Sequence, residues 1–277
     1  MTRILTVQDI SCVGQCSLTV ALPIVSACGI ETAVLPTAVL STHTAFRPGY
    51  TFRDLTDDIL PISDHWRKEE IYFDAVYTGY LGSKRQVDLI LTLVDRHLAP
   101  GGKLIVDPAM ADGGKLYAGF PEDFPRDMAR LVAAADIILP NITEAALMTG
   151  LPFRTEYDEG YILELLRRLN AIGAKTVVLT GVSFSPDKLG VAVYDGEADA
   201  VRYYFTDKEP RMSHGTGDVY ASAFTGAFMN GFDVYESAAI AADYTVRTIR
   251  ATIGDDAHWY GVNFEKELRY LVERIGK

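Results

Sequence analysis

The feature that most constrains this chain is an alternation. Short, unbroken apolar runs are separated by longer segments that are apolar on one side only. The runs are Ile4–Val7, Ala33–Leu35, Ala75–Tyr77, Leu104–Val106, Ile137–Leu139 and Val177–Leu179. Brief continuous runs of this kind predict strands buried on both faces. The segments between them, Ser17–Cys28, Phe52–Glu69, Ser83–Leu98, Pro125–Ala134 and Asp158–Ile172, carry the 3.6-residue period of helices. Strand and helix in turn predict an α/β fold, a mostly parallel sheet covered by helices. The pattern then changes. Leu189–Tyr194 and Ala200–Thr206, joined by a turn at Asp195-Gly196, predict an antiparallel hairpin. Asp218–Asn230, Val234–Thr252 and Phe264–Ile275 read as helices.

The apolar runs stop abruptly. Gln8-Asp9 follows the first, Asp107-Pro108 the fourth, Pro140-Asn141 the fifth and Thr180-Gly181 the sixth. Open α/β sheets bind ligands outside the carboxyl ends of their strands. Turns also favour these residue types for their own reasons. Four such endings together point to a site at one sheet edge.

Composition narrows the partners. A formal charge of -11 over 277 residues repels phosphate backbones, so nucleic acid is excluded as an expected partner. A nucleotide is not excluded, because a divalent cation and local N–H donors outweigh net charge. No apolar stretch reaches the length of a membrane span. The start, with Gln8-Asp9 ending a short apolar run, does not read as a signal peptide, and a cytoplasmic location is expected. Cys12, Cys16 and Cys28 suggest no disulfide framework or zinc site. Cys12 and Cys16 are spaced to share a helix face. No linker or repeat interrupts the chain, so residues 1–277 are expected to form one domain.

One stretch carries chemistry: Ser213-His214-Gly215-Thr216-Gly217-Asp218. Val219, Ala223, Phe224, Ala227 and Phe228 follow as an apolar stripe, so the Gly-Thr-Gly turn opens a buried helix. Backbone N–H groups at such a start, with the helix dipole behind them, form an anion site. Asp218, in the first turn, is placed to take a proton from a hydroxyl lined up with a phosphate. A plain helix cap and an ordinary tight turn account for the same residues. No G-x-x-x-x-G-K-[ST] or G-x-G-x-x-G is present, which disfavours a P-loop or a dinucleotide fold.

Gly215-Thr216-Gly217-Asp218 resembles the G-[AT]-G-D signature of the ribokinase superfamily. Further segments resemble its pyridoxal kinase branch. Thr78-Gly79-Tyr80-Leu81-Gly82-Ser83 is similar to [ST]-G-Y-L-G-S, and Asp107-Pro108-Ala109-Met110-Ala111-Asp112 to D-P-V-M-G-D. Pro140-Asn141-Ile142-Thr143-Glu144 is similar to P-N-x-x-E, Ile4–Gln8 to I-L-x-I-Q and Ser41-Thr42-His43-Thr44 to S-N-H-T.

The resemblance implies a ribokinase-like three-layer α/β/α sandwich without a separate lid domain. It implies ATP-dependent phosphorylation of a B6 vitamer's hydroxymethyl group, with Asp218 as base and the amides of Gly215, Thr216 and Gly217 on the transferred phosphate. Asn141, Glu144, Asp107 and Asp112 would serve the Mg²⁺-ATP end, with Glu144 and Asp107 nearest the metal, and Thr180 and His214 would approach the nucleotide. Asp9, Cys16, His43, Thr44 and Tyr80 would line the vitamer pocket. A homodimer and a monovalent cation, K⁺, come with the same resemblance.

Four of these residues have a simpler reading: Asp107 as a turn residue, Glu144 as a helix-start carboxylate, Tyr80 as packing, His43 as a loop cap. Asp9 departs from the branch, which commonly has serine there. A carboxylate at that place is suited to a protonated ring nitrogen or to the ammonium of pyridoxamine. His214 before Gly-Thr-Gly resembles the hydroxymethylpyrimidine kinases, which carry cysteine where this chain has Asp218. Hydroxymethylpyrimidine kinase, another small-molecule kinase of the fold and a non-catalytic vitamer-binding protein are the alternatives.

Overall fold

The computed structural model describes residues 1–44, 49–210 and 214–277; Ser213 lies outside them. In chain order the elements are β1 (Arg3–Val13), α1 (Leu18–Ala27), β2 (Glu31–Thr42), β3 (Phe52–Asp54), α2 (Thr56–Lys68), β4 (Phe73–Thr78) and α3 (Lys84–His97). There follow β5 (Leu98–Val106), β6 (Ala111–Asp112), β7 (Lys115–Leu116), α4 (Phe124–Ala134), β8 (Ile137–Ile138), α5 (Ile142–Thr149) and α6 (Glu159–Ile172). The chain closes with β9 (Thr176–Val182), β10 (Lys188–Asp195), β11 (Ala200–Asp207), α7 (Thr216–Phe228), α8 (Val234–Thr252) and α9 (Leu268–Arg274).

Among the described residues one sheet has nine strands in the order β11-β10-β9-β8-β5-β4-β1-β2-β3. Its centre, from β9 to β2, is parallel. The predicted hairpin is there: β10 runs antiparallel to both β9 and β11. Neighbouring strand residues face opposite ways, and here both faces are apolar. Leu5, Val7, Leu104, Val106, Val177 and Leu179 pack with α2 to α6 on one side. Ile4, Ala75, Ile105 and Val178 pack with α1, α7, α8 and α9 on the other. This is the three-layer sandwich the unbroken apolar runs require. Each fully buried aliphatic side chain contributes roughly 1.5–3 kcal/mol relative to exposure.

Four local expectations need correction. The helix expected over Phe52–Glu69 begins at Thr56. Asp54 accepts from the Thr56 backbone N–H at 2.8 Å and stops the helix there, leaving Phe52–Asp54 as an edge strand on β2. The first strand does not end at Gln8-Asp9 but runs on to Val13, with a register shift between Gln8 and Ile10. Cys12 is therefore an exposed strand residue and Cys16 lies beyond the strand, so the two share no helix face. In the last segment, Phe264–Glu267 is a 3-10 turn and the α-helix starts at Leu268.

Candidate active site

The polar strand endings do converge. Asp107 leaves β5 with its N–H on Thr78 O (2.9 Å) at the end of β4. Asn141 leaves β8 and bridges to Thr180 on β9, whose N–H reaches Pro140 O at 2.8 Å. Gly79 and Tyr80 follow β4, and Asp9 sits at the register shift of β1. Bulges and register shifts of this kind re-aim side chains next to active sites.

Asn141 and Glu144 form a capping box at the start of α5. Asn141 Oδ1 accepts from Glu144 N at 3.0 Å, and Glu144 Oε2 accepts from Asn141 N at 2.9 Å. Glu144 does more than cap. Its Oε1 also accepts from Met110 N (3.0 Å) and Ala111 N (3.4 Å), while Asn141 Nδ2 donates to Ala111 O at 2.8 Å. The box thus clamps the 107–112 loop onto α5. Asp112, exposed on β6, accepts from Gly113 N at 2.7 Å and stands close enough to raise the Glu144 pKa. Burial drives the carboxyl groups of Asp107 and Glu144 upward, and Asp107 is raised further by Glu144 and by Asp218.

Gly215 begins α7 in the left-handed region, at φ 77°. A Cβ there would stand 1.7 Å from Gln15 O, so only glycine fits against the loop that follows β1. Gly217 differs: it is exposed and a Cβ would meet nothing within 4 Å. Among the described residues the N-cap of α7, Gly215, brings no side-chain cap hydrogen bond. Asp218 is half-buried in the first turn of that helix. Burial pushes its carboxyl up to about 7, the Ser17 N–H pulls it down, and the Asp9 charge raises it.

On the pocket side, Asp9 is buried and accepts from Ser17 Oγ (2.6 Å) and Ser11 Oγ (3.0 Å). Burial raises its pKa against those two hydrogen bonds. Cys16 stays a thiol, its pKa raised by burial and by Asp218 and Asp9. Tyr80, pushed up to about 12 by burial and Asp9, leans on Phe120 with ring centroids 5.4 Å apart. His43 is buried with Nε2 on Tyr260 O at 3.0 Å, and burial lowers its pKa, so the ring is neutral. It faces the exposed His214 at 5.6 Å, which ties the start of the Gly-Thr-Gly turn to the pocket wall. Thr44 is exposed at the end of a described segment, and among the described residues no hydrogen bond or ion pair joins it to the others.

The electrostatic links join Asp9, Cys16, Asp107, Glu144 and Asp218 into one largely acidic cluster. Ser11 and Ser17, which hold Asp9, were not legible in the sequence as site residues. Ser17 reads only as a helix start, and serines two and eight positions after Asp9 carry no recognisable spacing.

Hard oxygen donors and mutually raised carboxyl groups suit a divalent cation. Among the described residues no three His, Cys, Asp or Glu side chains stand ready to hold an ion by themselves. The Glu144 oxygens are already engaged by three backbone N–H groups. Such a donor set fits Mg²⁺ brought in with phosphate oxygens and waters.

A parallel sheet with an edge hairpin and a glycine-rich helix start at its carboxyl edge defines the ribokinase-like fold. The chain belongs to the phosphomethylpyrimidine kinase family, whose model matches residues 29–262. It is similar to the crystal structure, in a form with pyridoxal, of a candidate phosphomethylpyrimidine kinase from Bacteroides thetaiotaomicron. That likeness has a TM-score of 0.92 at 35% identity and covers 98% of this chain and 95% of that one. Pyridoxal kinase from Lactobacillus plantarum is similar with a TM-score of 0.90 at 33% identity, over 99% and 97% of the two chains. Pyridoxal kinase of Arabidopsis thaliana is 30% identical over 192 residues, 67% of this chain. That match spans 60% of the Arabidopsis protein, less than two thirds of its length.

Proposed function

We propose that the protein transfers the γ-phosphoryl group of ATP to the hydroxymethyl oxygen of a B6 vitamer. The observation that carries this reading is Asp218, a half-buried carboxylate in the first turn of α7, directly after Gly215-Thr216-Gly217. The N–H groups of that turn and the dipole of α7 would bind the transferred phosphate and favour the charge that develops on it. Asp218 would accept the hydroxyl proton as the oxygen forms its bond to phosphorus, and ADP would leave with the electrons of the broken P–O bond. A base titrating at about 7 is matched to work at neutral pH.

Asp107 and Glu144 would hold Mg²⁺ and its waters, which offsets charge on the phosphates when bound. Asn141 and Thr180 would face the nucleotide. Tyr80 offers a ring face to the vitamer, and the neutral His43 adds a wall that brings no charge. Bacteroides and Lactobacillus relatives associated with pyridoxal support the vitamer as acceptor. A homodimer and assistance by K⁺ rest on the resemblance alone.

The test is ADP release with Mg-ATP and, in parallel, pyridoxal, pyridoxine, pyridoxamine, hydroxymethylpyrimidine and ribose. We expect turnover with the vitamers and a fall in kcat of about 10²–10⁴-fold for Asp218→Asn. Turnover with the pyrimidine alone would move the substrate toward the reading His214 suggests. Vitamer binding without turnover would make this a non-catalytic member of the fold.

A further inference from the structure

Gln86 lies in the first turn of α3 and is 2% exposed; the other buried residues of that helix are Val87, Ile90, Leu93 and His97. A buried side-chain amide is costly unless its donors and acceptor are met. Ser83 and Gln86 have the spacing of a capping box, and Ser83 Oγ accepts from Gln86 N at 3.3 Å. The Gln86 side chain turns elsewhere. Its Oε1 accepts from Gly82 N at 2.7 Å. Its Nε2 donates to Thr56 Oγ1 (2.9 Å), Thr37 O (3.1 Å) and Asp54 Oδ1 (3.3 Å). Thr56 donates to the same Asp54 oxygen through both its N–H and its hydroxyl. One side chain thus joins three segments: the loop after β4, strand β2, and the junction of β3 with α2.

The loop after β4, residues 79–82, carries Tyr80. Its first end is pinned on β1. Gly79 N donates to Val7 O at 3.1 Å, and a Cβ on Gly79 would stand 2.8 Å from the Gln8 side chain. Gln86 pins the other end at Gly82. Between the two, Tyr80 O accepts from Thr37 Oγ1 at 3.4 Å. The Tyr80 ring folds back over Gly82: a Cβ there would meet the ring Cε1 at 3.6 Å. On the far side of the bridge, β2 runs on to Thr42, directly before His43, and β3 pairs with it through Ala38 and Asp54.

We propose that Gln86 is a positioning residue for Tyr80, tying the 79–82 loop to the β2–β3 edge and so setting where the Tyr80 ring meets the substrate. The inference rests on the kinase reading for the identity of that substrate and on the hydrogen bonds alone for its geometry. The Mg²⁺-ATP end is held by other groups, the α5 capping box on the 107–112 loop. Loss of Gln86 therefore falls on vitamer binding and spares the nucleotide.

Gln86→Met keeps the length of the side chain and removes all its hydrogen bonds. It should raise the KM for pyridoxal roughly five- to twentyfold, the scale of one to two lost hydrogen bonds, with kcat and the KM for ATP unchanged. Gln86→Glu keeps an acceptor for Gly82 N but loses the donors to β2 and Asp54, and should raise the same KM. Tyr80→Leu should raise it too, and in that background Gln86→Met should add nothing, because it acts through Tyr80. Hydrogen exchange in the ligand-free protein reads the geometry without any substrate: the Gly82 N–H should exchange faster in Gln86→Met. If Gln86→Met fails to fold, Thr56→Val removes the shared hydroxyl and should move the pyridoxal KM the same way by a smaller factor.

Unchanged Gly82 exchange in Gln86→Met overturns the proposal. So does a pyridoxal KM unmoved in Gln86→Glu or Thr56→Val, an additive rise in the double variant, or a KM for ATP that climbs in step, which would mark general loosening. A wild type that binds pyridoxal without turning it over counts against the kinase reading alone. The Kd for pyridoxal from calorimetry then decides: a five- to twentyfold rise in Gln86→Met supports the proposal and an unchanged Kd overturns it. Pyridoxal that does not bind the wild type overturns both.

Discussion

Two glycines that look alike in the sequence do different work. At Gly215 a side chain is impossible for two reasons at once: the backbone is left-handed, and the Gln15 carbonyl oxygen would stand 1.7 Å from any Cβ. At Gly217 there is open space, and the lack of a side chain leaves the backbone bare to an incoming phosphate. The two substitutions should therefore fail differently. Gly215→Ala is expected to lower stability by about 1–3 kcal/mol, read as a lower Tm, and to lose activity with it. Gly217→Ala should melt like the wild type and raise the KM for ATP instead. Thermal melts and nucleotide titrations on the same preparations separate the outcomes. Equal Tm values for both variants would show that the Gln15 contact yields without cost.

At the scale of elements, the α5 capping box couples local helix chemistry to the site. A cap is ordinarily worth about 1 kcal/mol. Here the same two side chains also hold the backbone of Met110 and Ala111, so the 107–112 loop depends on them. Asn141→Ala should cost about that much stability and, beyond it, weaken Mg-ATP binding, because Asp107 loses its fixed approach. Isothermal titration with a non-hydrolysable ATP analogue checks the second effect. Unchanged affinity would confine the box to helix capping. This coupling shows where sequence reading stops. Pro140-Asn141 and Glu144 were legible as a helix start, and the alternation of apolar runs was legible as a covered parallel sheet. Burial patterns report which way a strand faces, and little else is needed for that. The partners of Glu144 were not legible, because they lie more than thirty residues away in the chain and are backbone groups with no side-chain signature. The continuation of β1 past Gln8-Asp9 was missed for a related reason. A polar pair inside a strand reads as its end unless a register shift and two distant serines are known to accommodate it.

For the whole molecule, the buried acidic cluster ties stability to pH with a sign opposite to that of ordinary surface carboxylates. Asp9, Asp107, Glu144 and Asp218 all have pKa values raised in the folded state, chiefly by burial. A carboxyl group raised on folding binds more protons in the native state than in the unfolded chain over the window between its two pKa values. Stability then falls as pH rises through that window. For Asp218 the window runs from the ordinary aspartate value near 3.8 to about 7. The ligand-free protein should therefore have a higher Tm near pH 5.5 than near pH 8. The net charge of -11 works in the same direction, since self-repulsion grows as the remaining protons leave. Asp218→Asn isolates the cluster from that general effect: it should flatten the slope by removing one titrating site while barely changing net charge. Mg²⁺ with a non-hydrolysable ATP analogue should flatten it as well, because cation and carboxylates then favour the ionised form together. Melts across pH 5–8, with and without nucleotide, decide this. A Tm that rises with pH in the wild type, or a slope untouched by Asp218→Asn, would mean that the carboxylates already find enough compensation in water and backbone N–H groups to stay charged in the free enzyme.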